Sequence, residues 1–575
     1  MTKNTEPQGR PHIFVIRGDL LRVAADAVLI PTDTDLRVET YWCTPGGLQP
    51  GLDLTEDELA GYRSRRATVV SAVQPFAEAS AVEDKRRLIL TDVGGTTASS
   101  DAFFKKGIDA FVRLATETCR SDCHLGGRER PLFALPLIGT GQGGRADKIG
   151  AQARLVYQHL LEQCHGAWAQ ESFDLLLVLR DEAAEAFIQP LRRQESARAF
   201  AALAAGEDCP DLARAREIAE HARSGSLVVF TGAGTSMSVG LPSWNSLLDK
   251  LFKELADADS SGLSLDPGCK SCRRLDGRGK SSSEDLKDCD FHGLDVYGRA
   301  SLLERLWPTG GLHAKTFRAS VADHARAPLY GLQHAILARL PSEAYVTLNY
   351  DTLLEDAAKD VGKALRVLPD SGLSERSAWL LKLHGCIKDL DSIVLTGEDY
   401  RRYGDKRTAL RGILGAELVR SHMLFVGFGL NDTNVMQVFS DVRQALRGPK
   451  PEGDKPIFGT ALTLKPNKYL KDLWQDSLGL VEFKGGFKAC ARRLEIFLDA
   501  IGCFAGEGYQ HLLSPGFEDA LTPAEKEARE ALEALEGSVQ EGLIKDKDAP
   551  IWKHLQTLLA QFRSSGNPKS ASPKA

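Results

Sequence analysis

The 575-residue chain is predicted to form two α/β domains in series, the second built on a parallel sheet and interrupted by an insertion, followed by a helical C-terminal extension. Three observations carry this. Short apolar, β-branched runs recur, and each stops at glycine or polar residues. Amphipathic segments with apolar residues at helical spacing lie between them. The chain is 43% hydrophobic and 26% charged, which is ordinary for a globular protein and enough for two to four cores.

After a polar start (residues 1–11) that is expected to be disordered, the first domain is placed at residues 12–198. Residues 12–16 form a strand, followed by Gly18-Asp19-Leu20. Residues 26–30 form the next, ending in Pro31-Thr32-Asp33, and residues 87–90, 132–137 and 173–179 supply three more. The run at 132–137 opens into Ile138-Gly139-Thr140-Gly141-Gln142-Gly143-Gly144, and a helix is expected over 147–163.

The second domain is placed at residues 205–505. Its first strand, residues 227–230, breaks into Thr231-Gly232-Ala233-Gly234-Thr235-Ser236. Glycine has no Cβ to hold a ligand off, so such a turn lets backbone N–H groups approach a phosphate. A helix with Trp244, Leu247, Leu248, Leu251, Phe252 and Leu255 on one face follows. Three later apolar runs end in Leu348-Asn349-Tyr350-Asp351, in Leu383-His384-Gly385, and in Gly427-Phe428-Gly429-Leu430-Asn431-Asp432. Ligands of open α/β sheets bind outside the carboxyl ends of strands, so Gly232, Asn349, His384 and Gly427 are expected to converge on one crevice.

Residues 258–295 read as a loop-like insertion rich in Ser, Gly and Asp. They contain Cys269-x2-Cys272-x16-Cys289-x2-His292, the donor set and paired spacing that tetrahedral Zn²⁺ takes. The competing reading is an unstructured loop with chance cysteines; structural zinc is favoured. Cys119, Cys123, His124, Cys164 and His165 are read as bland, since isolated cysteines are commonly buried hydrophobes. Residues 506–575 are expected to be a helical extension, opened by a Thr522-Pro523-Ala524-Glu525 capping pattern, and a disordered tail from 564.

A formal charge of −6 lacks the basic footprint of a nucleic-acid binder. The apolar runs are too short to span a bilayer, the start has no signal-peptide core, and eleven scattered cysteines suit a reducing cytoplasm.

Together the four strand-end motifs, over roughly residues 205–505, resemble the sirtuin superfamily. GAGTSMSVGLP is similar to its NAD-binding opening, Asn349-Tyr350-Asp351 to its Asn-x-Asp strand end, and Leu383-His384-Gly385 to its catalytic His-Gly. Two departures stand out. Ser243-Trp244-Asn245 replaces Asp-Phe-Arg, and the paired CxxC zinc module after His-Gly is absent. Pro242-x-Trp244-x-x-Leu247-Leu248, Asn349-Tyr350-Asp351 and Gly427-x-Gly429-Leu430-x-Asp432 instead resemble the sirtuin-like NAD hydrolases of bacterial antiphage defence. The first domain resembles a macrodomain, through Gly18-Asp19-Leu20, residues 26–30 and the 139–144 loop. Its Pro31-Thr32-Asp33 departs from the Asn-rich turn of macrodomains that remove ADP-ribose.

The resemblances imply NAD as substrate, cleaved at the nicotinamide–ribose bond. Gly232, Ala233, Gly234, Thr235 and Ser236 would hold its phosphates, with Trp244 alongside and read mainly as a packing ring. Asn349 would hold a ribose hydroxyl or the attacking water, His384 would be a general base, and Asp351 would steady the cation or orient Asn349. Gly427, Gly429 and Asp432 would border the adenosine half. In the first domain Asp19 would contact the adenine of an ADP-ribose-type ligand, and Gly139, Thr140, Gly141, Gly143 and Gly144 would wrap its diphosphate. A gate is expected, by a signal, a partner defence protein or assembly into a homo-oligomer. A non-catalytic NAD or ADP-ribose sensor is the second reading and a protein deacylase the third.

Overall fold

The computed structural model describes residues 9–32, 69–72, 86–93, 100–119, 125–141, 144–203, 210–257, 264–266, 269–275, 288–307, 315–370, 377–446, 458–464, 467–474, 476–506, 508–540 and 550–563. Asp33, Cys123, His124, Gly143, most of the expected insertion and the tail from 564 lie outside them, as do residues 1–8 of the expected disordered start.

The first sheet has six strands: β1 (Ile13–Arg17), β2 (Ala27–Thr32), β3 (Val69–Ala72), β4 (Arg87–Asp92), β5 (Leu132–Pro136) and β6 (Asp174–Leu179), in the order β1-β6-β5-β2-β4-β3. All pair in parallel except β3, which runs antiparallel to β4 at the edge. The second sheet has seven: β7 (Leu227–Thr231), β8 (Ala344–Thr347), β9 (Arg366–Leu368), β10 (Trp379–Lys382), β11 (His422–Val426), β12 (Gly459–Thr463) and β13 (Leu478–Glu482), in the order β13-β12-β11-β7-β8-β10-β9. It is parallel throughout. The chain starts at β7 in the middle, lays β8 and then β9, inserts β10 between them, and returns to lay β11, β12 and β13 on the other side. That reversal puts a topological switch point between β7 and β11.

Each sheet has a core of its own on one face and shares a third core with the other sheet on the opposite face. Strand residues alternate between faces, so Ile13 and Val15 of β1 face the helices Asp101–Thr118 and Ile149–His165, together with Phe133, Leu175 and Leu177. The other face, with Phe14, Ile16, Val28, Leu88 and Leu176, packs on Ala215, Ile336, Ile496 and Phe497. These belong to the helices Pro210–Arg223, Leu332–Arg339 and Phe487–Ala505. The same helices cover Leu227, Val229, Tyr345, Leu424 and Val426 of the second sheet. One helical layer is shared by both sheets, which is why Phe487–Ala505 is apolar round most of its circumference and buried along most of its length.

The charges on that helix are paired across the junction. Asp499 accepts from His12 Nε2 at 2.9 Å and from Arg192 Nη1 at 3.1 Å, and Arg492 Nη2 meets Asp174 Oδ1 at 2.7 Å. Glu495 pairs with Arg128. The far face of the second sheet (Val228, Phe230, Val346, Leu381, Phe425) packs with Leu418, Val438 and Trp474 from three further helices.

The helix Trp244–Asp257 buries Leu247, Leu248, Leu251, Phe252 and Leu255, as its periodicity predicts. They join a small satellite core with Cys269, Cys272, Phe291, Leu303 and Phe317. The described part of the insertion is therefore not a bare loop: Lys270–Leu275 and Asp290–Gly293 are short helices seated on this core. Thr522 and Glu525 form the expected reciprocal cap of the helix Pro523–Gln540. Leu512, Phe517 and Leu521 just before it close over the first domain's outer core.

Candidate active site

Register brings the four motifs level. Val426 pairs with Thr231, Thr231 with Thr347, and Thr347 with Lys382. Residues just beyond these partners therefore emerge side by side at the carboxyl ends of β11, β7, β8 and β10. Asn349 and His384 each stand two residues past a register pair on adjacent strands, which lie about 4.8 Å apart. Leu383 N–H donates to Thr347 O at 3.0 Å and Thr231 Oγ1 to Thr347 Oγ1 at 2.9 Å, tying the strand ends together. Buried Lys382 pairs with Glu355 at 2.8 Å and also donates to Asp351 O.

The glycines serve close approach of two backbones. Gly232 N–H donates to Val426 O (3.0 Å) and Gly234 N–H to Gly427 O (2.9 Å). A Cβ on Gly232 would lie 2.6 Å from Gly427 O, and one on Gly234 would lie 2.7 Å from Gly427 Cα. Gly427 itself has φ +65° and faces Thr235 N. Thr235 N–H returns to Gly232 O at 3.0 Å, so three amides of the expected phosphate cradle are engaged within the protein. Thr235 and Ser236 are buried, whereas Ala233 is exposed. Gly429 is exposed, beyond the contact.

Asn349 Nδ2 donates to Gly232 O (3.1 Å) and to Ser236 Oγ (2.9 Å). Asp351 is buried; its Oδ2 accepts from Ser236 Oγ at 2.7 Å and its Oδ1 from Leu353 N–H at 3.1 Å. It thus reaches Asn349 through the serine. His384 is buried, and among the described residues its Nε2 has no hydrogen-bond partner. The nearest carboxylate oxygen is Asp432 Oδ2 at 3.5 Å, so Asp432, expected near the adenosine half, stands beside His384. Asp432 also accepts from Tyr400 OH at 2.9 Å and caps the helix Thr433–Ala445 through Val435 N–H. Burial lowers the His384 pKa below its usual 6.5, Asp432 acts in the opposite sense, and Arg407 lowers it further.

An aromatic wall completes this side. Tyr400 and Tyr403 stand edge-on to His384 at centroid distances of 5.4 and 5.8 Å, and Trp244 stacks on Tyr400 at 5.6 Å. Trp244 therefore packs within the wall, and Tyr297 joins it. The sequence reading missed both Tyr400 and Tyr403, although their i, i+3 spacing in a helix puts them on one face. It also missed His334, whose signal was a lone polar ring in the apolar segment Leu332-Gln333-His334-Ala335-Ile336-Leu337.

Cys269, Cys272, Cys289 and His292 come together with their ligand atoms within 4.8 Å of one another. The Cys272–Cys289 sulfur separation of 3.7 Å matches the edge of a tetrahedron with Zn–S bonds, about 3.8 Å. His292 turns Nδ1 to the thiols, 3.1 Å from Cys289 Sγ, and Nε2 to Asp249 Oδ1 at 3.2 Å. A carboxylate behind a ligating imidazole is the usual outer support of such a site.

In the first domain Asp19 Oδ1 accepts from Leu21 N–H at 2.9 Å, and Asp19 N–H donates to Tyr330 OH at 3.2 Å. Gly139 and Gly144 have φ of +83° and +80°. Thr140 Oγ1 bonds back to Leu137 O, and Gly141 has open space around it. Arg145 holds the loop through Asp101, Gln152 and the face of Phe104. Asp19 and this loop both lie beyond the carboxyl ends of strands, two strands apart.

Among the described residues, no helix is long and apolar enough to cross a membrane. Residues 343–476 match the family model described as a SIR2-like domain. The chain is 27% identical over 288 residues to the protein named NAD(+) hydrolase ThsA of Enterococcus faecium, covering 49% of this chain and 52% of the relative. A protein of the same name from Bacillus cereus (strain MSX-D12) is 29% identical over 223 residues, 38% and 40% of the two chains. Defense-associated sirtuin 2 of Bacillus subtilis is 27% identical over 249 residues, 42% and 21%. The chain thus spans about half, or less, of the length of the curated relatives it matches. The SIR2-like stretch contains Asn349, Asp351, His384, Gly427, Gly429 and Asp432, and so three of the four strand-end motifs.

Proposed function

We propose that this chain is an NAD hydrolase of antiphage defence, releasing nicotinamide and ADP-ribose. The observation that supports it most is the level register of Gly232, Asn349, His384 and Gly427 around a switch point, in a stretch similar to proteins named as NAD hydrolases. Cleaving the nicotinamide–ribose bond develops cationic character on the sugar and needs one positioned water. His384, buried and neutral, takes a proton from that water or from a ribose hydroxyl at its unpartnered Nε2. Asn349 holds the same donor through its carbonyl oxygen. The aromatic wall of Trp244, Tyr400 and Tyr403 excludes other water.

The first domain acts as a macrodomain-like sensor of an ADP-ribose-type ligand. The Cys269–Cys272–Cys289–His292 cluster holds structural zinc, and assembly into a homo-oligomer is one gate on activity. Incubation of the purified chain with NAD, with and without acyl-lysine peptide, tests the enzyme reading. Nicotinamide release without peptide is expected; release only with peptide means deacylation, and NAD binding with no release in any oligomeric state means a sensor. Metal analysis should find about one zinc per chain; a value near zero sinks the zinc site.

A further inference from the structure

We infer that His334 is a positioning residue that fixes the Asn349 side chain with its carbonyl oxygen toward the substrate. The inference rests on the NAD-cleaving reading of the crevice and deepens it. Gly331 N–H donates to His334 Nδ1 at 3.2 Å. A neutral imidazole that accepts at Nδ1 carries its proton on Nε2. Nε2 lies 3.3 Å from Ser236 Oγ and therefore donates to it. The Ser236 hydroxyl donates its proton to Asp351 Oδ2 at 2.7 Å. Ser236 Oγ then has one acceptor position left, and Asn349 Nδ2 fills it.

The second hydrogen of that amide goes to Gly232 O. A carbonyl oxygen cannot donate, so the atom facing it must be the amide nitrogen, and a flipped Asn349 would set two acceptors against each other at 3.1 Å. Among the described residues Asn349 Oδ1 accepts no bond. It is the atom presented to the crevice, and it suits a donor, namely the attacking water or a ribose hydroxyl. A water that donates to it keeps a lone pair for the anomeric carbon.

The anchor of this chain belongs to the junction with the first domain. Tyr330 N–H donates to Arg22 O (3.1 Å), and Ala24 N–H donates to Tyr330 O (2.9 Å). The amide that sets the His334 proton is therefore one residue from a two-bond bridge to the first domain's 19–24 loop. On the near side, the turn Leu125–Gly127 packs on Met237–Val239, just after Ser236. His334 is buried among these contacts, and burial lowers its pKa, which keeps the ring neutral.

Steady-state NAD hydrolysis by His334→Phe and His334→Gln tests the inference, with melting temperature as the check on folding. A misplaced catalytic group costs about 100-fold. The expected result is a kcat in His334→Phe lower by about that factor with KM within about 3-fold, and recovery to within about 5-fold in His334→Gln, which keeps a donor near the Nε2 position. An unchanged kcat in His334→Phe, or a loss confined to KM, overturns it. A second readout does not depend on turnover. In ¹⁵N-histidine-labelled protein, the ring signals lost in His334→Gln should show the Nε2–H tautomer at neutral pH; an Nδ1–H or doubly protonated ring overturns the assignment. If the wild-type chain releases no nicotinamide but the tautomer is as expected, the NAD-cleaving reading fails and the hydrogen-bond chain stands.

Discussion

The two sheets share a helical layer, yet their carboxyl ends are finished differently. At the second sheet Asn349, Ser236 and Asp351 bond to one another, and among the described residues His384 Nε2 and Asn349 Oδ1 are left without a hydrogen bond. At the first sheet the Gly-rich loop is tied down by Arg145, while Asp19 is folded onto Leu21 N–H and held against Tyr330 of the neighbouring unit. Both loops are glycine-rich, but for different reasons. Gly232 and Gly234 are required because another backbone lies within 3 Å of where a Cβ would stand. Gly139 and Gly144 are required by positive φ, and at Gly139 a Cβ would also lie 2.7 Å from the Phe104 ring. A Gly-rich strand end is therefore not one signal. What excludes a side chain differs between them: close approach of a second backbone at one, left-handed φ at the other.

The largest effect is on chemistry: His384→Ala and Asn349→Ala should each lower nicotinamide release at least about 100-fold with the melting temperature preserved. Turnover near wild type in both would remove the distinction between the two sheet ends. Next is the shared layer. Asp499→Ala leaves Arg192 buried without its carboxylate and should cost about 3–5 kcal/mol of unfolding free energy by denaturant titration. The two sheets should then still lose structure in one transition; two separate transitions would mean that the shared helical layer does not couple them.

A smaller effect is expected at Asp432→Asn, which keeps a helix-capping side chain. With neutral His384 as the proposed base, activity should fall as pH drops through its pKa. Burial has already lowered that pKa below 6.5, and Asp432 raises it. Removing the carboxylate charge should move the acid limb of the kcat/KM profile to lower pH; a shift upward would contradict the pairing. The smallest effect is at Arg145→Ala, which should weaken calorimetric binding of ADP-ribose by roughly 3- to 10-fold through loss of loop order. No heat from the wild-type chain would end the ligand reading of the first domain.

Much of this was legible beforehand because it is local. The apolar runs, the face of the helix Trp244–Asp257, the Thr522–Glu525 cap and the Cys/His spacing all follow from period, capping chemistry or ligand count. The strands missed were the short or glycine-containing ones, β3, β9, β12 and β13, whose apolar content is too slight to stand out without their neighbours. The insertion read as a loop because its core-forming residues, Cys269, Cys272 and Phe291, find their apolar partners on helices far along the chain.

The sequence by itself carried the α/β alternation, the apolar runs that stop at polar or glycine residues, and the Cys/His spacing. Three-dimensional packing established the rest: the helix layer that both sheets share, the move of Asp432 to His384, the Tyr400 wall and the His334–Ser236–Asn349 chain. The reason is physical. Patterning reports which face of an element avoids water, whereas sheet register and hydrogen-bond direction depend on residues more than a hundred positions apart. Thr231 and Thr347 must first pair before Ser236 and Asn349 can meet.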